Sequence, residues 1–535
     1  MALGDPLTPV AEWHAPLTLL QRAVFYFLSL CAGAMAALLA TRVINRGVVV
    51  VVDEEKAAAV GAAAHGSVRT QWLGRSRAEW VDVLRHVLSL GGVLCFAYVA
   101  EHTPLLARID KTYSGDFFLF GAGLLLVAAL ATVRKSRGSE VLNRDQSEEW
   151  KGWMQFLFVM YHQQQAAKAY NLIRIFVSSY VWMTGFGNFS FFYVRGDYSF
   201  NRLLQMLWRL NFLVLAIMAV MGTNYILYYI VPLHTFYFLV VYATMGVAQS
   251  LNYTEWGVRA KIFAVGVCIY VVWELEQAVP GVFDTVFAPL SPILAEKNWS
   301  LHEWHFRTFL DHYSSLFGMA FAMNFPYLLA WFAAVERMPS LAARVALKSA
   351  VGALWLAASY WWYTDIYTLP KYEFNAAHPY WFWIPIMTFV YFRNLTPTLR
   401  SYHSALLNWL GKITLETYLL QFHIFMVAKN ADGSWAPKKL LSLVPEYPLV
   451  NMLVCGLVYV ACAKISFNAT LSLRDACIGD LTPREMLRKL PYALGAVAAL
   501  LALAFVFHFN DDFLLLFMAL LSVAAFLGVF SLDLQ

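Results

Sequence analysis

The chain has 535 residues, of which 60% are hydrophobic, 16% aromatic and only 14% charged. A soluble protein of this size carries about 25% charged residues, so the composition predicts a polytopic membrane protein. The net charge of +5 is modest and no run of Lys or Arg is present, so we expect membrane lipid and no nucleic acid as a partner.

Apolar stretches along the chain predict an all-α fold with about 15 transmembrane helices. They centre on 23–41, 83–100, 116–133, 152–168, 172–192, 207–222, 225–246, 261–279, 308–333, 347–363, 381–393, 405–427, 449–466, 491–508 and 512–530. Lys and Arg concentrate in alternate connections, at 42–82, 134–151, 193–209, 334–348, 393–404 and 467–490. The positive-inside rule therefore predicts that these connections are cytosolic and that the N-terminus is outside.

The segment 148–162 runs from a charged cluster into an apolar stretch that ends in a histidine. Lys151 and His162 are separated by almost three helical turns, so they share one face about 16 Å apart along the helix axis. With Lys151 at the cytosolic surface, His162 is expected near the middle of the membrane, reached from the cytosol. An ionisable residue at that depth is a functional-site hypothesis by default.

The span 172–192 carries Arg174, Trp182 and Asn188. The segment 185–188, with two glycines, predicts a helix break in mid-membrane, which is tolerated where the freed backbone faces protein or water. The alternative is a simple kink for helix packing. In the span 225–246, His234 is either a second base or a ring hydrogen-bonded to a neighbouring tyrosine.

The predicted lumenal loop 280–306 contains the acceptor sequon for glycosylation at Asn298 and leads into a charged motif. This motif contains His302, Glu303, His305, Arg307 and Asp311. HExxH is absent and the spacing is weakly specific, so we expect no metal. A rim that binds a sugar or a partner protein fits the motif better, and a solvated interfacial anchor is the alternative.

The span 405–427 repeats the spacing of eleven residues between a lysine and a histidine. Lys412, Glu416 and His423 are expected on one helix face, with the lysine at the cytosolic mouth and the histidine at depth. The alternative is that Lys412 and Glu416 form a stabilising ion pair while His423 fills a packing gap.

Four of these segments carry a resemblance to a known family. The segments 148–155, 180–190, 302–307 and 409–418 resemble the reduced wall acetylation proteins, the plant and algal branch of the multi-pass acyltransferases that include the sialic acid O-acetyltransferase. More distantly, Lys151 and His162 resemble the Arg-x10-His helix of membrane acyltransferase-3 proteins, with Lys in place of Arg. Those proteins have ten core helices with both ends cytosolic, as the fourth to thirteenth predicted spans do.

The resemblance implies three parts of the chain. These are 1–145, with three transmembrane helices and a cytosolic loop, 146–470, the ten-helix acyltransferase core, and 471–535, with two further helices. It also implies acetyl transfer from cytosolic acetyl-CoA across the Golgi membrane toward cell-wall polysaccharide. The sialic acid enzyme carries a lumenal hydrolase-like domain for which we find no stretch here. We therefore expect either a separate lumenal O-acetyltransferase as partner or acetylation of the acceptor from the membrane core itself.

The predicted site has three sets of residues. The catalytic set is His162, His234, His423 and Glu416. The donor-binding set is Lys151, Gln155, Arg174, Trp182, Asn188 and Lys412, of which the three cations would hold the phosphates of acetyl-CoA. The acceptor-binding set is His302, Glu303, His305, Arg307 and Asp311. The imidazole of His162 would either carry the acetyl group or deprotonate the acceptor hydroxyl. The alternative function is a transporter of intact acetyl-CoA or a related anion.

Overall fold

The computed structural model describes residues 17–56, 76–103, 105–295, 300–429, 435–479, 482–506, 514, 516, 517, 520 and 523.

Helices dominate the described part of the chain, which confirms the predicted all-α polytopic class. The α-helices are α1 (Leu19–Lys56), α2 (Arg77–His102), α3 (Gly115–Ala131), α4 (Arg144–Gln164), α5 (Tyr170–Arg195), α6 (Phe200–Met221), α7 (Ile230–Gly246), α8 (Glu255–Ile269), α9 (Val282–Phe287), α10 (Ser291–Leu294), α11 (His302–Phe309), α12 (Ser314–Glu336), α13 (Leu341–Trp362), α14 (Lys371–Trp381), α15 (Trp383–Arg393), α16 (Pro397–Arg400), α17 (Ala405–Lys412), α18 (Thr414–Leu420), α19 (Pro448–Cys477) and α20 (Pro483–Val506). Short π-helical turns lie at Tyr270–Glu274, Tyr363–Tyr367 and Gln421–Phe425.

Five short strands complete the described secondary structure. They are β1 (Ala107–Asp110), β2 (Val133–Lys135), β3 (Tyr402–Ser404), β4 (Met426–Lys429) and β5 (Trp435–Ser442). They form a three-stranded sheet in the order β1-β5-β4 and an antiparallel pair of β2 with β3.

Eight helices in the described part of the chain are long and apolar enough to cross a membrane. They are Leu19–Leu38, Ala78–His102, Phe200–Met221, Glu255–Glu274, His302–Glu336, Leu341–Tyr367, Pro448–Cys477 and Leu487–Val506. Each coincides with a predicted span. The remaining predicted spans are not supported in this way, so the count of about 15 is not shown.

The other predicted spans do not match a described helix that is both long and apolar enough to cross a membrane. The predicted spans at 116–133 and 225–246 are the shorter apolar helices α3 and α7, and the one at 381–393 is an 11-residue helix. Helix α4 overlaps the predicted span 152–168, but it begins with seven polar or charged residues in its first eight positions and ends at Gln164. Helix α5 covers the predicted span 172–192. Most of 512–530 lies outside the described residues.

The span 405–427 is not one helix, which corrects the prediction. Helix α17 ends at Lys412, α18 begins at Thr414, and a π-helical turn precedes the strand that starts at Met426. Residues share a face at fixed spacing only along an uninterrupted helix. Lys412 and His423 therefore do not share one.

The opposite correction applies to 185–188, where α5 runs without a break from Tyr170 to Arg195. Gly185 is required by packing instead. A Cβ atom there would approach the backbone carbonyl of Ser315 on α12 more closely than 3.0 Å, a distance that Cβ atoms essentially never show. The glycine therefore lets α5 and α12 pack with their backbones close together.

The chain divides into two compact units. The first contains 1–109, 215–223 and 420–535, and the second contains 110–214 and 224–419. In the second unit, polar side chains begin the helices that matter most for the site. Asn143 caps α4 by accepting a hydrogen bond from the Gln146 N–H at 3.0 Å, and Ser404 caps α17 in the same way with Leu407 at 3.3 Å.

At one end of the second unit, three connections predicted to be cytosolic meet. Strands β2 and β3 pair there, Arg393 binds Glu149 at 3.1 Å, and Glu336 binds Lys348 at 2.9 Å and also Arg400. The predicted sidedness requires these connections to lie together, and the contacts agree with it.

Predicted lumenal connections also meet one another within the second unit. The Asn171 side chain donates to the carbonyls of Tyr367 and Leu369 at 2.7 and 3.1 Å, and Tyr170 donates to Asn375 at 3.0 Å. These bonds tie the start of α5 to the connection between α13 and α14.

Glycan mapping tests this sidedness. We expect a glycan on Asn298, which lies outside the described residues, if its sequon is far enough from the membrane. We expect none on Asn252, because it belongs to a predicted cytosolic connection. Its side-chain nitrogen is moreover occupied, since it donates to the Met245 carbonyl at 2.7 Å and to Tyr198 at 3.0 Å. Glycosidase-sensitive mobility of the protein and of its Asn298→Gln and Asn252→Gln variants measures both sites. A glycan lost only in Asn252→Gln would invert the predicted topology.

Candidate active site

Helix α4 places Lys151 and His162 at different ends. Its 21 residues rise about 31 Å, close to the thickness of the hydrocarbon core of a membrane. Lys151 lies two turns after the start of the helix, and His162 lies two residues before its end. The helix ends at Gln164, and Gln165 adopts a left-handed conformation, with φ 53°. The depth of His162 in the membrane stays a prediction.

His162 is half-buried and has cations beside it. The Lys111 ammonium donates a hydrogen bond to the His162 carbonyl at 2.9 Å. The charges of Lys111 and Arg307 both act on the imidazole ring. The ring also packs edge-on against Phe158 and Tyr161, with centroids 4.6 and 4.9 Å apart. The imidazole therefore packs against two aromatic rings and has positive charge nearby.

Tyrosine rings connect this region to two arginines. The Arg307 guanidinium lies 4.1 Å from the centroid of the Tyr229 ring, a cation–π contact. Tyr161 lies within electrostatic range of both Arg307 and Arg174. His162, Arg307 and Arg174 therefore belong to one end of the second unit, and Arg307 comes from the motif predicted to be lumenal. His162 thus lies within electrostatic range of a residue from the motif predicted to bind the acceptor.

The region around Lys151 contains a second histidine. Lys151 pairs with Glu148 at 2.8 Å, and its carbonyl accepts a hydrogen bond from Tyr180 at 2.7 Å. The His234 Nδ1 atom is 2.7 Å from the Thr184 hydroxyl. The ring is therefore hydrogen-bonded to a threonine rather than to a tyrosine, although the Tyr180 ring lies 6.5 Å away.

The predicted phosphate-binding cations do not converge on one site. Lys151 is neutralised by Glu148, and Lys412 is exposed. Arg174 is buried and forms an ion pair with Asp311 at 2.6 Å. Arg174 and Asp311, predicted to bind the donor and the acceptor respectively, are therefore buried against each other.

The other predicted donor-binding residues have different surroundings. Gln155 is buried, and its Nε2 atom has no hydrogen-bond partner among the described residues. Trp182 is buried and stacks on Phe186 with centroids 5.4 Å apart. Asn188 donates to the carbonyl of Thr184 one helical turn before it, at 2.9 Å. The Nε1 atom of Trp182 likewise has no hydrogen-bond partner among the described residues, so Gln155 and Trp182 each retain an unused donor for a ligand.

Glu416 and His423, predicted to act together, have separate partners. Glu416 is fully buried and accepts two hydrogen bonds from Arg209, at 2.5 and 3.1 Å, so the Lys412–Glu416 ion pair is wrong as well. His423 belongs to the first unit, where its Nδ1 atom is 2.5 Å from the Glu101 carboxylate. Neither side chain of this buried imidazole–carboxylate pair is exposed.

The predicted acceptor-binding motif forms α11 and lines a cavity. Glu303 and Arg307 form an ion pair one turn apart, at 2.5 Å. His302 and His305 line a mainly polar cavity of about 440 Å³, together with Glu276 and Asp284.

The Glu276 carboxylate is positioned by the backbone. It accepts hydrogen bonds from the N–H groups of Phe283 at 2.7 Å and Gly281 at 2.8 Å. These bonds hold the pKa of the Glu276 carboxyl below its usual value, so it remains charged at neutral pH. A cavity with this carboxylate suits the binding of hydroxyl groups.

Sequence reasoning missed several residues that the structure places in these clusters. Ser178 contacts Asp311 at 2.5 Å and His378 at 2.7 Å, and all three are completely buried. His378 falls in a predicted loop, where a histidine is unremarkable. Lys111 lies in the connection between the predicted spans 83–100 and 116–133 and received no predicted role. Its position as the last cation before an apolar helix is a signal that could have drawn attention to it.

Comparison with known proteins gives two matches. Residues 11–490 match the family model described as the 10 TM acyl transferase domain found in Cas1p. The chain is also 30% identical over 419 residues to the N-acetylneuraminate (7)9-O-acetyltransferase of Danio rerio, an alignment that covers 76% of this chain and 51% of that protein. The chain thus spans about half the length of this curated relative. No solved structure matches the chain significantly.

Proposed function

We propose that this chain, a membrane acyltransferase that belongs to the family of the 10 TM acyl transferase domain found in Cas1p, transfers acetyl groups from acetyl-CoA to hydroxyl groups. The observation that carries the proposal is His162, an imidazole at the end of α4 with Lys111 and Arg307 beside it. The O-acetyltransferase activity named for the Danio rerio relative supports acetyl as the transferred group.

The chemistry follows from these neighbours. His162 either accepts the acetyl group on a ring nitrogen or removes the proton from the attacking hydroxyl. In both cases negative charge develops on the carbonyl oxygen of the thioester. The cations of Lys111 and Arg307 would stabilise that charge, and they are most effective where water is scarce. His234, bonded to Thr184 in the Lys151 region, is a second proton-transfer group nearer to the predicted cytosolic end.

We propose that acetyl-CoA arrives from the cytosol and that the acceptor binds at the lumenal face of the Golgi membrane. The length of α4 and the predicted sidedness of its two ends support this direction. Resemblance to the reduced wall acetylation proteins supports a cell-wall polysaccharide as the acceptor. The cavity that contains His302 and His305 would hold its hydroxyl groups, and Glu303 would orient Arg307 there.

We also propose that the chain has three parts, 1–145, 146–470 and 471–535, and that the second contains the ten-helix acyltransferase core. Because the alignment covers only 51% of the curated relative, we propose that acetyl transfer to the polysaccharide occurs either directly or through a separate lumenal O-acetyltransferase.

Acetyl-CoA labelled separately on the acetyl group and on CoA tests the enzyme against the alternative transporter. In sealed vesicles that contain the purified chain and an enclosed hemicellulose oligosaccharide, we expect acetyl label inside and CoA label outside. The nucleotide carries several negative charges, and their desolvation in an apolar core is costly. Filtration of the vesicles and counting of both labels measures the result.

Vesicles without the chain are the control, because they should retain neither label. Entry of both labels in equal amounts, with no acetylated oligosaccharide, would favour a transporter of intact acetyl-CoA. Retention of neither label would refute both functions. Acetyl label on the oligosaccharide with CoA outside would support the enzyme.

A further inference from the structure

A hydrogen-bonded chain of buried side chains connects three helical elements of the second unit. Ser178 on α5 contacts Asp311, which follows α11, at 2.5 Å and His378 on α14 at 2.7 Å. Asp311 also pairs with Arg174, one turn before Ser178. Ser178, Asp311 and His378 have no exposed surface. Arg174 is 2% exposed. Such a group is energetically costly unless its charges and protons are matched.

The bonds decide which nitrogen of His378 carries the proton. Asp311 forms an ion pair with Arg174, and the oxygens of a carboxylate can only accept hydrogen bonds. The single hydroxyl proton of Ser178 therefore points to Asp311. The serine oxygen must then accept its second bond from His378, which requires a proton on Nε2. Nδ1 is left with a lone pair, as a neutral imidazole has one donor and one acceptor.

That lone pair has no partner in the described part of the chain. The Nδ1 atom of His378 is buried without a hydrogen bond, although buried polar atoms in native proteins are almost always paired. The bulk of the ring is packed, with the Phe374 ring 5.0 Å away. An imidazole held in one tautomer, with its basic nitrogen unused, can accept a proton from an acceptor hydroxyl that reaches Nδ1, an atom with no exposed surface in this structure.

His378 lies at the same end of the second unit as His162. Asn375, one turn before His378, accepts a hydrogen bond from Tyr170, and Arg174 acts electrostatically on Tyr161, the neighbour of His162. The buried chain therefore adjoins the end of α4 where acetyl transfer is proposed.

We propose that His378 is the base that takes the proton of the acceptor hydroxyl, and that Ser178 and Asp311 are positioning residues that fix its tautomer. The inference rests on the proposed acetyl transfer. The hydroxyl proton moves to Nδ1 as the oxygen bonds to the acetyl carbon. The bond from that carbon to its leaving atom, a nitrogen of His162 that has taken the acetyl group from the sulfur of CoA, breaks with its electron pair. The imidazolium of His378 then returns the proton to the leaving group, while Asp311 stabilises the positive ring through Ser178.

The experiment compares variants of the full chain in vesicles, with labelled acetyl-CoA as donor and a hemicellulose oligosaccharide as the acceptor probe. His378→Gln keeps a donor toward Ser178 but has no basic nitrogen, and we expect kcat to fall about 100-fold or more. Ser178→Ala should lower kcat about 10- to 100-fold with KM for acetyl-CoA unchanged, by analogy with the loss of other orienting partners. Ser178→Thr should restore most of the rate.

Ser179→Ala is the matched control, since Ser179 is an equally buried neighbour whose hydroxyl bonds only to the Ile175 carbonyl of its own helix. We expect it to keep normal kcat. Activity is expressed per folded molecule, from the monodisperse fraction in size-exclusion chromatography. If Ser178→Ala yields less folded protein but its folded fraction has normal kcat, the hydrogen-bonded side chains have only a structural role and the proposal is overturned. Normal kcat in His378→Gln would overturn it as well. Absence of any transfer by the unmodified chain would instead refute the proposed function itself.

Discussion

Replacing His162 by alanine is expected to abolish acetyl transfer while the protein remains folded. The ring is half-buried at the end of α4, with the charges of Lys111 and Arg307 acting on it. No side chain of the alanine variant would replace its nitrogen as nucleophile or base. Acid–base catalysis alone contributes about 100- to 10,000-fold to a rate, so the loss should be at least of that order. Acetylated oligosaccharide formed per folded molecule is the measurement.

Two further variants make the result interpretable. His162→Gln keeps a polar side chain of similar size and should be as inactive as His162→Ala, because an amide is not basic. His403→Ala removes a histidine from the predicted cytosolic end, where its ring bonds to Ser136 at 2.9 Å, and should leave the rate unchanged. Normal transfer by folded His162→Ala would refute every role proposed for this residue.

Replacing Gly411 by alanine is expected to prevent stable folding. Gly411 on α17 and Gly152 on α4 face each other where the two helices pack backbone to backbone. A Cβ atom on Gly411 would approach the Glu148 carbonyl more closely than 3.0 Å, and one on Gly152 would approach the Leu407 carbonyl as closely. The obstacle is backbone rather than a flexible side chain, so the helices would have to separate. Overpacking on this scale costs about 3 kcal/mol or more.

The thermal midpoint and the monodisperse yield in detergent measure this effect. Gly187→Ala is the matched control, because it lies inside α5 with no atom within 4 Å of an added Cβ. That variant should fold normally or slightly better, as alanine favours a helix by about 1 kcal/mol over glycine. A Gly411→Ala protein with normal midpoint and yield would show that α4 and α17 do not pack as described.

The two glycines also lie in two of the segments that carry the family resemblance. Gly152 lies in the segment 148–155 and Gly411 in the segment 409–418. From the sequence, both segments were interpreted as binding the donor. In the structure they are first of all the two sides of one helix contact, which brings Glu149 within 2.6 Å of the backbone N–H of Ser404. Their role in holding the fold is independent of any role toward acetyl-CoA.

What the sequence by itself determined is the membrane character of the chain and the position of its longest apolar helices. Each of the eight described helices able to cross a membrane falls on a predicted span, because hydropathy is a property of consecutive residues. Helix starts at Asn143 and Ser404 are equally local, since a cap bonds to the N–H three residues later. The family resemblance was also readable from contiguous segments.

Only the tertiary structure decided the partners of the buried charges. Arg174 and Asp311 are 137 residues apart, and Arg209 and Glu416 are 207 apart, yet each pair meets within 2.6 Å. Helical periodicity assigns a residue to a face, but it does not indicate which distant helix supplies the opposite charge. Because a buried charge persists only beside its counter-charge, those distant partners determine which ionisable residues, such as Arg174 and Arg209, are held in place by the fold.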